Sequence, residues 1–137
     1  MPLQPPFETV AAVITDRQGR VLLVRKRGST AFIQPGGKRE RGETALQTLA
    51  RELREELGVR LVEAGAQPLG TFEDQAVNEP GRRVRAEVYR VQVLDEPMPG
   101  AEIEELLWMD PVPPHPVRVA PLSAGHILPA HLAAPGA

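Results

Sequence analysis

The 137-residue chain contains no cysteine. That absence excludes a disulfide scaffold, a thiolate nucleophile and a cysteine-ligated zinc site. No apolar run approaches the ~20 residues that cross a bilayer as a helix. The opening Met-Pro-Leu-Gln-Pro-Pro has neither the basic segment nor the apolar stretch of a secretory leader. A soluble, cytoplasmic protein with no membrane partner is therefore expected. Net charge is scarce too, at −2, so no broad electrostatic attraction for long nucleic acid is expected. Typical domains run to about 100–150 residues, and a single domain over residues 1–137 is the expectation. A chain of this size buries roughly two-thirds of its unfolded surface, so it needs no crosslink or structural metal to hold a core.

What is present reads as strands around one strong helix. Residues 8–14 form a candidate strand, Asp16-Arg17-Gln18-Gly19 a turn, and Val21–Val24 a second strand, together read as a hairpin. Arg25, Lys26 and Arg27 follow at once, then a Gly-Ser-Thr loop and the breaker Gln34-Pro35-Gly36-Gly37-Lys38. From Glu43 to Leu57, apolar residues at 46, 49, 50, 53 and 57 make one helical stripe, and Gly58 stands where a left-handed glycine ends a helix. Extended runs follow at Val59–Val62, Leu69–Asp74, Val84–Leu94 (alternating, with one slip) and Leu106–Met109, with a turn at Asn78–Gly81. Pro111, Pro113, Pro114, Pro116 and Pro121 leave little room for a helix or central strand there. They are read as a rigid crossing loop or, alternatively, as a ligand for another domain. A short helix is expected from Ser123, broken or restarted at Pro129. Strands plus a central helix argue for a mixed α/β layer fold.

The helix is acidic in a particular way. Glu52, Glu55 and Glu56 fall within about 100° of one another on the helical wheel, beside the apolar stripe. Like charges so placed repel by about 0.2–0.5 kcal/mol each, and Glu52 has no Lys or Arg three or four residues away. Two readings stand: a charged helix face with surplus acids, or a hard-cation site of the kind magnesium takes, shared with phosphate oxygens. Geometry alone does not decide between them.

The spacing does. Gly37, Glu43, Arg51, Glu52, Leu53, Glu55, Glu56, Gly58 and Val59 match, without a gap, the pattern G-x5-E-x7-R-E-U-x-E-E-x-G-U, where U is aliphatic. From ordinary residue usage a chance match is on the order of 10⁻¹⁰ per start position. The chain resembles the Nudix hydrolase family, MutT-like members included, whose signature this is. The resemblance implies an α/β fold: an α/β/α sandwich with a mixed sheet, and the signature as a loop–helix–loop. It implies Mg2+, or Mn2+ in its place, and hydrolysis of a diphosphate linkage in a nucleoside diphosphate derivative. Carried across, it makes Glu52, Glu55 and Glu56 metal ligands, with the carbonyl of Gly36 a further one. Glu52 becomes a candidate general base oriented by Arg51, and Glu43, Gly37 and Gly58 shape the loops.

Residues outside the signature carry weaker readings. Arg25 and Lys38 flank the expected site and are candidates for holding phosphates, or else surface charges; Arg27 is a lesser candidate. The family usually supplies an acid beyond the signature, for which Glu105 is chosen over Glu102, Glu104 and Glu73. Trp108 is a candidate for stacking on a base, or else a core residue. Phe32 and Phe72 are read as core, and Phe7 is left open. His115, His126 and His131 lack metal-ligand spacing and are read as surface or end-of-chain residues. Gln34 departs from the apolar residue that the family more often places there, and its reading stays open between a polar contact to substrate and no role.

Three functions follow from the resemblance. The first is a pyrophosphohydrolase of (deoxy)nucleoside triphosphates, acting on a small-molecule substrate, with a homodimer as the expected assembly. The second is a nucleoside diphosphate sugar pyrophosphatase, and the third a catalytically silent nucleotide sensor. The proline marking ADP-ribose enzymes is absent near Asp74–Gln75, and the tyrosine marking dinucleoside polyphosphate enzymes is absent near Val77. A coenzyme A pattern is only faintly echoed at residues 22–25.

Overall fold

The apolar strands bury side chains on both faces, and that sets the architecture. The computed structural model describes residues 4–137; the opening Met1–Leu3 lies outside the described residues. In β1 (Phe7–Val13), Val10 and Ala12 join one core cluster while Ala11 and Val13 join another. In β2 (Val21–Lys26), Leu22 and Val24 divide from Val21 and Leu23 in the same way. Alternation sends neighbours to opposite faces, so strands apolar throughout must lie between two covering layers.

One covering layer is α1 (Ala45–Leu57), whose Leu49, Leu53 and Leu57 are 0% exposed. Thr44 and Gln47 form a reciprocal capping box at its start, and Gly58 closes it at φ 67°. That cap places the first turn two residues later than the acidic residue Glu43 suggested. The other layer is a π-helical turn, Ser123–Ile127, running into α2 (Leu128–Ala133), with Ile127 and Leu128 in the second cluster. Pro129 does not break the helix. It sits in the first turn of α2, just after the wider turn closed by Leu128 N–H to Ser123 O.

The remaining strands are β3 (Gly36–Lys38), β4 (Arg60–Gln75), β5 (Arg83–Leu94) and β6 (Ile103–Met109). The order β3-β1-β5-β4 makes a mixed sheet, with β1 and β5 parallel, while β2 and β6 pair antiparallel by themselves. The fold is thus α/β with a mixed sheet, as the resemblance implied.

The expected β1–β2 hairpin is corrected. Asp16 N–H bonds Arg20 O at 3.0 Å and Leu22 N–H bonds Ile14 O at 2.9 Å, after which the strands part. Both edges of β1 are already taken, by β3 and β5, so β2 turns away to β6. The two extended runs after the helix are one strand, β4, carried across irregularities at Val62/Gln67 and Pro68/Gly70. Nor does β5 slip. Ala86 and Val88 face the second cluster and Val91 and Val93 the first; the apparent slip is Arg90 standing where an apolar residue was expected. The proline-rich stretch is a loop crossing the fold, tied by Phe32 N–H to Arg118 O and by Ala120 N–H to Phe32 O.

Leu53 packs from α1 into the sheet with no exposed surface. Leu53→Ala is expected to lower unfolding free energy by about 2–5 kcal/mol, measured by denaturant titration.

Candidate active site

The signature assembles where α1 meets the edge strand β3. Gly36 N–H donates to Glu56 Oε1 at 3.1 Å. A Cβ on Gly36, which lies at φ 146°, would overlap the carbonyl oxygen of Val10; one on Gly37 would overlap the Glu52 carboxylate. The glycines therefore do more than turn the chain. They let the edge strand and the helix carboxylates come into contact.

Glu43 organises the other side. It receives Arg51 Nε at 2.8 Å, Arg51 Nη2 at 2.9 Å and the Thr48 hydroxyl at 2.8 Å. Arg51, so gripped, turns Nη1 to Glu52 at 2.8 Å. The helical wheel gave Glu52 no cation, because residues one apart do not normally face each other. Arg51 overcomes that by being clamped from Glu43 and by bonding the Lys38 carbonyl at 3.1 Å. Its reach to Glu55, 3.8 Å, is the weaker contact.

The three acids are not equivalent. Glu56 is 6% exposed, and the side chains of Glu52 and Glu55 are 16% and 54% exposed. Burial pushes the Glu56 carboxyl up to about 7, against the pull of the Gly36 N–H and of Lys26. Burial raises Glu52 as well, opposed by its bond from Arg51. Among the described residues no three acidic, histidine or cysteine side chains form a ready metal cage.

All three acids line one cavity of about 610 Å³, together with Gly36, Gly37, Lys38 and Lys26. The cavity continues over the other face of the sheet, floored by Thr9, Ala11 and Ala86 and roofed by Leu122, Ser123 and Ile127. Phe7 lies at its wall, with Lys38 Nζ and the Arg82 guanidinium over its ring at 4.0 and 3.9 Å.

Arg25, Glu105 and Trp108 are not among the cavity-lining residues. Arg25 and Glu105 pair with each other at 3.2 Å across β2 and β6. Trp108, opposite Leu22, packs against the α1-side core. Glu104 pairs with Arg27, and Glu73 with Arg83 and Arg85. The acids outside the signature that line the cavity are Glu79 and Glu102.

Lys26 was passed over in the sequence because it sits inside a run of three cations. A register shift between Arg25 and Lys26 removes the parity that would have singled it out. Phe32 and Phe72 belong to the second core cluster, as read. The surface reading of His131 is corrected: it is buried and receives Arg90 Nε on Nδ1 at 3.0 Å. Arg90 also bonds the His131 carbonyl at 2.7 Å, tying α2 to β5. His126 pairs with Asp74 at 3.0 Å.

The Glu43–Arg51 bond lowers the Glu43 carboxyl to about 2 in the folded state, from an ordinary 4.5. Ionised Glu43 thus adds stability that is complete above the unfolded value and lost as pH falls toward the folded one. Glu43→Gln is expected to flatten the loss of thermal stability between those two pH values, measured as Tm against pH.

The family model described as NUDIX domain matches residues 5–123. An RNA pyrophosphohydrolase of Francisella tularensis subsp. mediasiatica is 43% identical over 51 residues, which are 37% of this chain and 33% of that protein. The chain thus spans about a third of the length of the curated relatives it matches. Among solved structures, the E. coli ORF135 protein is 26% identical with a TM-score of 0.73, covering 97% of this chain and 94% of that one. The MutT protein of Methanosarcina mazei is 27% identical with a TM-score of 0.63, covering 78% and 79%. The chain belongs to the NUDIX domain family, whose hydrolases act on pyrophosphate bonds.

Proposed function

We propose that this chain, as one catalytic domain over residues 1–137, is a magnesium-dependent pyrophosphohydrolase of nucleoside triphosphates. The observation that carries the reading is the pair of half-buried Glu52 and buried Glu56, pressed against Gly37 and Gly36 at one end of a cavity large enough for a nucleotide.

The donor set suits the metal. It offers carboxylate and carbonyl oxygens only, the ligands of a hard cation. Magnesium commonly takes one or two carboxylates and completes its shell with waters and substrate phosphates, so a ready three-acid cage is not required. A carboxyl raised by burial, as Glu56 is, gains its charged form back beside a cation. Glu52, Glu56 and the more open Glu55 would hold the ion, with the Gly36 carbonyl beside them. Bound there, the metal supplies charge neutralisation for the phosphate chain and acidifies a water.

The rest falls to the protein. Lys26 and Lys38, on the cavity wall, draw the polyphosphate. Arg51, clamped by Glu43, fixes Glu52 as the candidate base that takes a proton from the attacking water. Glu102 stands at the wall where an acid outside the signature is expected. The floor and roof beyond β3 are apolar or uncharged and take the nucleoside. Most phosphoryl-transfer catalysis is positioning and charge stabilisation, and these residues supply both.

Phosphate and pyrophosphate release tests this directly. The panel holds nucleoside triphosphates, nucleoside diphosphate sugars and a 5′-triphosphorylated oligonucleotide, prompted by the partial relatives' name. Release from triphosphates with Mg2+, abolished by EDTA, is the expected outcome. Faster release from the sugars or the oligonucleotide would move the substrate, and no release from any would end the hydrolase reading.

Two substitutions probe the site. Glu56→Gln keeps shape and loses charge, and is expected to cut turnover by about 10²-fold or more with the fold intact. Gly37→Ala pushes into the Glu52 carboxylate and is expected to cost about 10²-fold in kcat through misplacement. Steady-state kinetics beside a thermal melt checks both.

A further inference from the structure

A second groove, of about 460 Å³, adjoins the cavity described above. Lys26, Asn78 and Glu102 line both, while Arg27, Gly28 and Ser29 line the groove alone. Lys26 marks the end of the cavity from which the groove opens. Burial raises the Glu52 and Glu56 carboxyls, and the Lys26 charge draws both back down. The groove therefore leaves from the acids. None of the floor and roof residues of the uncharged chamber lines it. A ligand with its nucleoside in the chamber and a diphosphate at the acids has its remaining end at this groove.

The groove wall has a fixed shape. Lys26 to Ser29 is a tight turn, closed by Ser29 N–H to Lys26 O at 3.0 Å, with Gly28 at φ 83°. Arg27 N–H bonds Glu102 O at 2.8 Å, and Arg25 Nη1 donates to Ser29 O at 3.0 Å. Two cations stand on the pinned turn. Arg27 meets Glu104 at 3.5 Å, a long contact between exposed side chains, and its guanidinium makes no hydrogen bond among the described residues. Lys26 is half-buried, and among the described residues it has neither a hydrogen bond nor an ion pair, although Arg25 and Arg27 on either side are paired.

The lining indicates the occupant. No aromatic or apolar side chain is present, so a second base would have nothing to stack on. A neutral sugar would leave Lys26 without a counter-charge. Two cations against the single carboxylate of Glu102 suit an anion, and unbonded guanidinium and ammonium donors suit phosphate oxygens. A turn already held in place loses little freedom when it binds.

Resting on the nucleotide reading above, we propose that this groove is the subsite for the terminal phosphate of a nucleoside triphosphate, the phosphate beyond the pair held at the acids. Arg27 and Lys26 bind it, and the enzyme thereby selects triphosphates over diphosphates and over nucleoside diphosphate sugars.

The test compares kcat/KM for nucleoside triphosphates with that for the matching diphosphates, across four bases. The wild-type enzyme is expected to favour the triphosphate by about tenfold or more for each base it turns over. Arg27→Gln is expected to bring that ratio to about twofold or less, and Arg27→Lys, which keeps the charge, to fall between the two. Arg27 is 69% exposed, so neither variant endangers the fold. A wild-type ratio near one, or a ratio that Arg27→Gln leaves unchanged, would overturn the proposal. So would a loss that falls on the nucleoside diphosphate sugars and spares the triphosphates.

Failure of the hydrolase reading shows separately, as no release from any nucleotide. Inorganic tripolyphosphate and pyrophosphate are then titrated with Mg2+ by calorimetry into wild type and Arg27→Gln. Tighter binding of tripolyphosphate that the variant loses sustains the subsite. Equal binding, no binding, or a preference that the variant keeps ends it.

Discussion

A helix bearing three carboxylates has to approach the edge of a sheet without a side chain in between. Gly36 and Gly37 meet that requirement, since a Cβ on either would collide with the Val10 carbonyl or the Glu52 carboxylate. Contact brings Glu56 under a backbone N–H and out of water, where its charge is costly. The cost is tolerable because the leucines of α1, on the stripe beside it, anchor the helix in the core. Packing energy from the core thereby holds acidic groups in a place that solvation alone would not favour.

The second constraint is that the sheet is buried on both sides. It separates the acidic site, on the α1 side of β3, from the uncharged chamber on the side of Ile127 and Leu122. One cavity wraps the edge and joins them. A ligand with a charged polyphosphate and a flat neutral ring has the same polarity along its length. The Arg90–His131 and Asp74–His126 contacts hold the roof of that chamber to β5 and β4, so the C-terminal segment is part of the site's frame.

What could be read from the sequence was local. The α1 stripe, the glycine that ends it and the spacing of the acids depend on residues a few positions apart. The pairing of strands was not local. β1 and β2 have the turn of a hairpin, yet separate, because their partners lie dozens of residues away and both of their faces are apolar. The same limit applied to Glu105 and Trp108, which stand opposite Arg25 and Leu22 of β2 and do not line the cavity. His131 read as a surface residue by itself, and its pairing with Arg90, far off in sequence, goes with its burial. Gln34 was visible as a departure from the family pattern, but its burial, with the amide nitrogen donating to the Ala12 carbonyl, depends on a contact 22 positions away.

The central claim is that the carboxylates beside Gly36 and Gly37 hold a divalent ion. A crystal structure with Mn2+, read through its anomalous signal, tests it most directly. The account predicts an ion bound by Glu52 and Glu56 within about 2.0–2.6 Å, hard-cation distances. An ion elsewhere, or those two side chains still turned to Arg51 and Gly36 with no ion near them at saturating manganese, would contradict it.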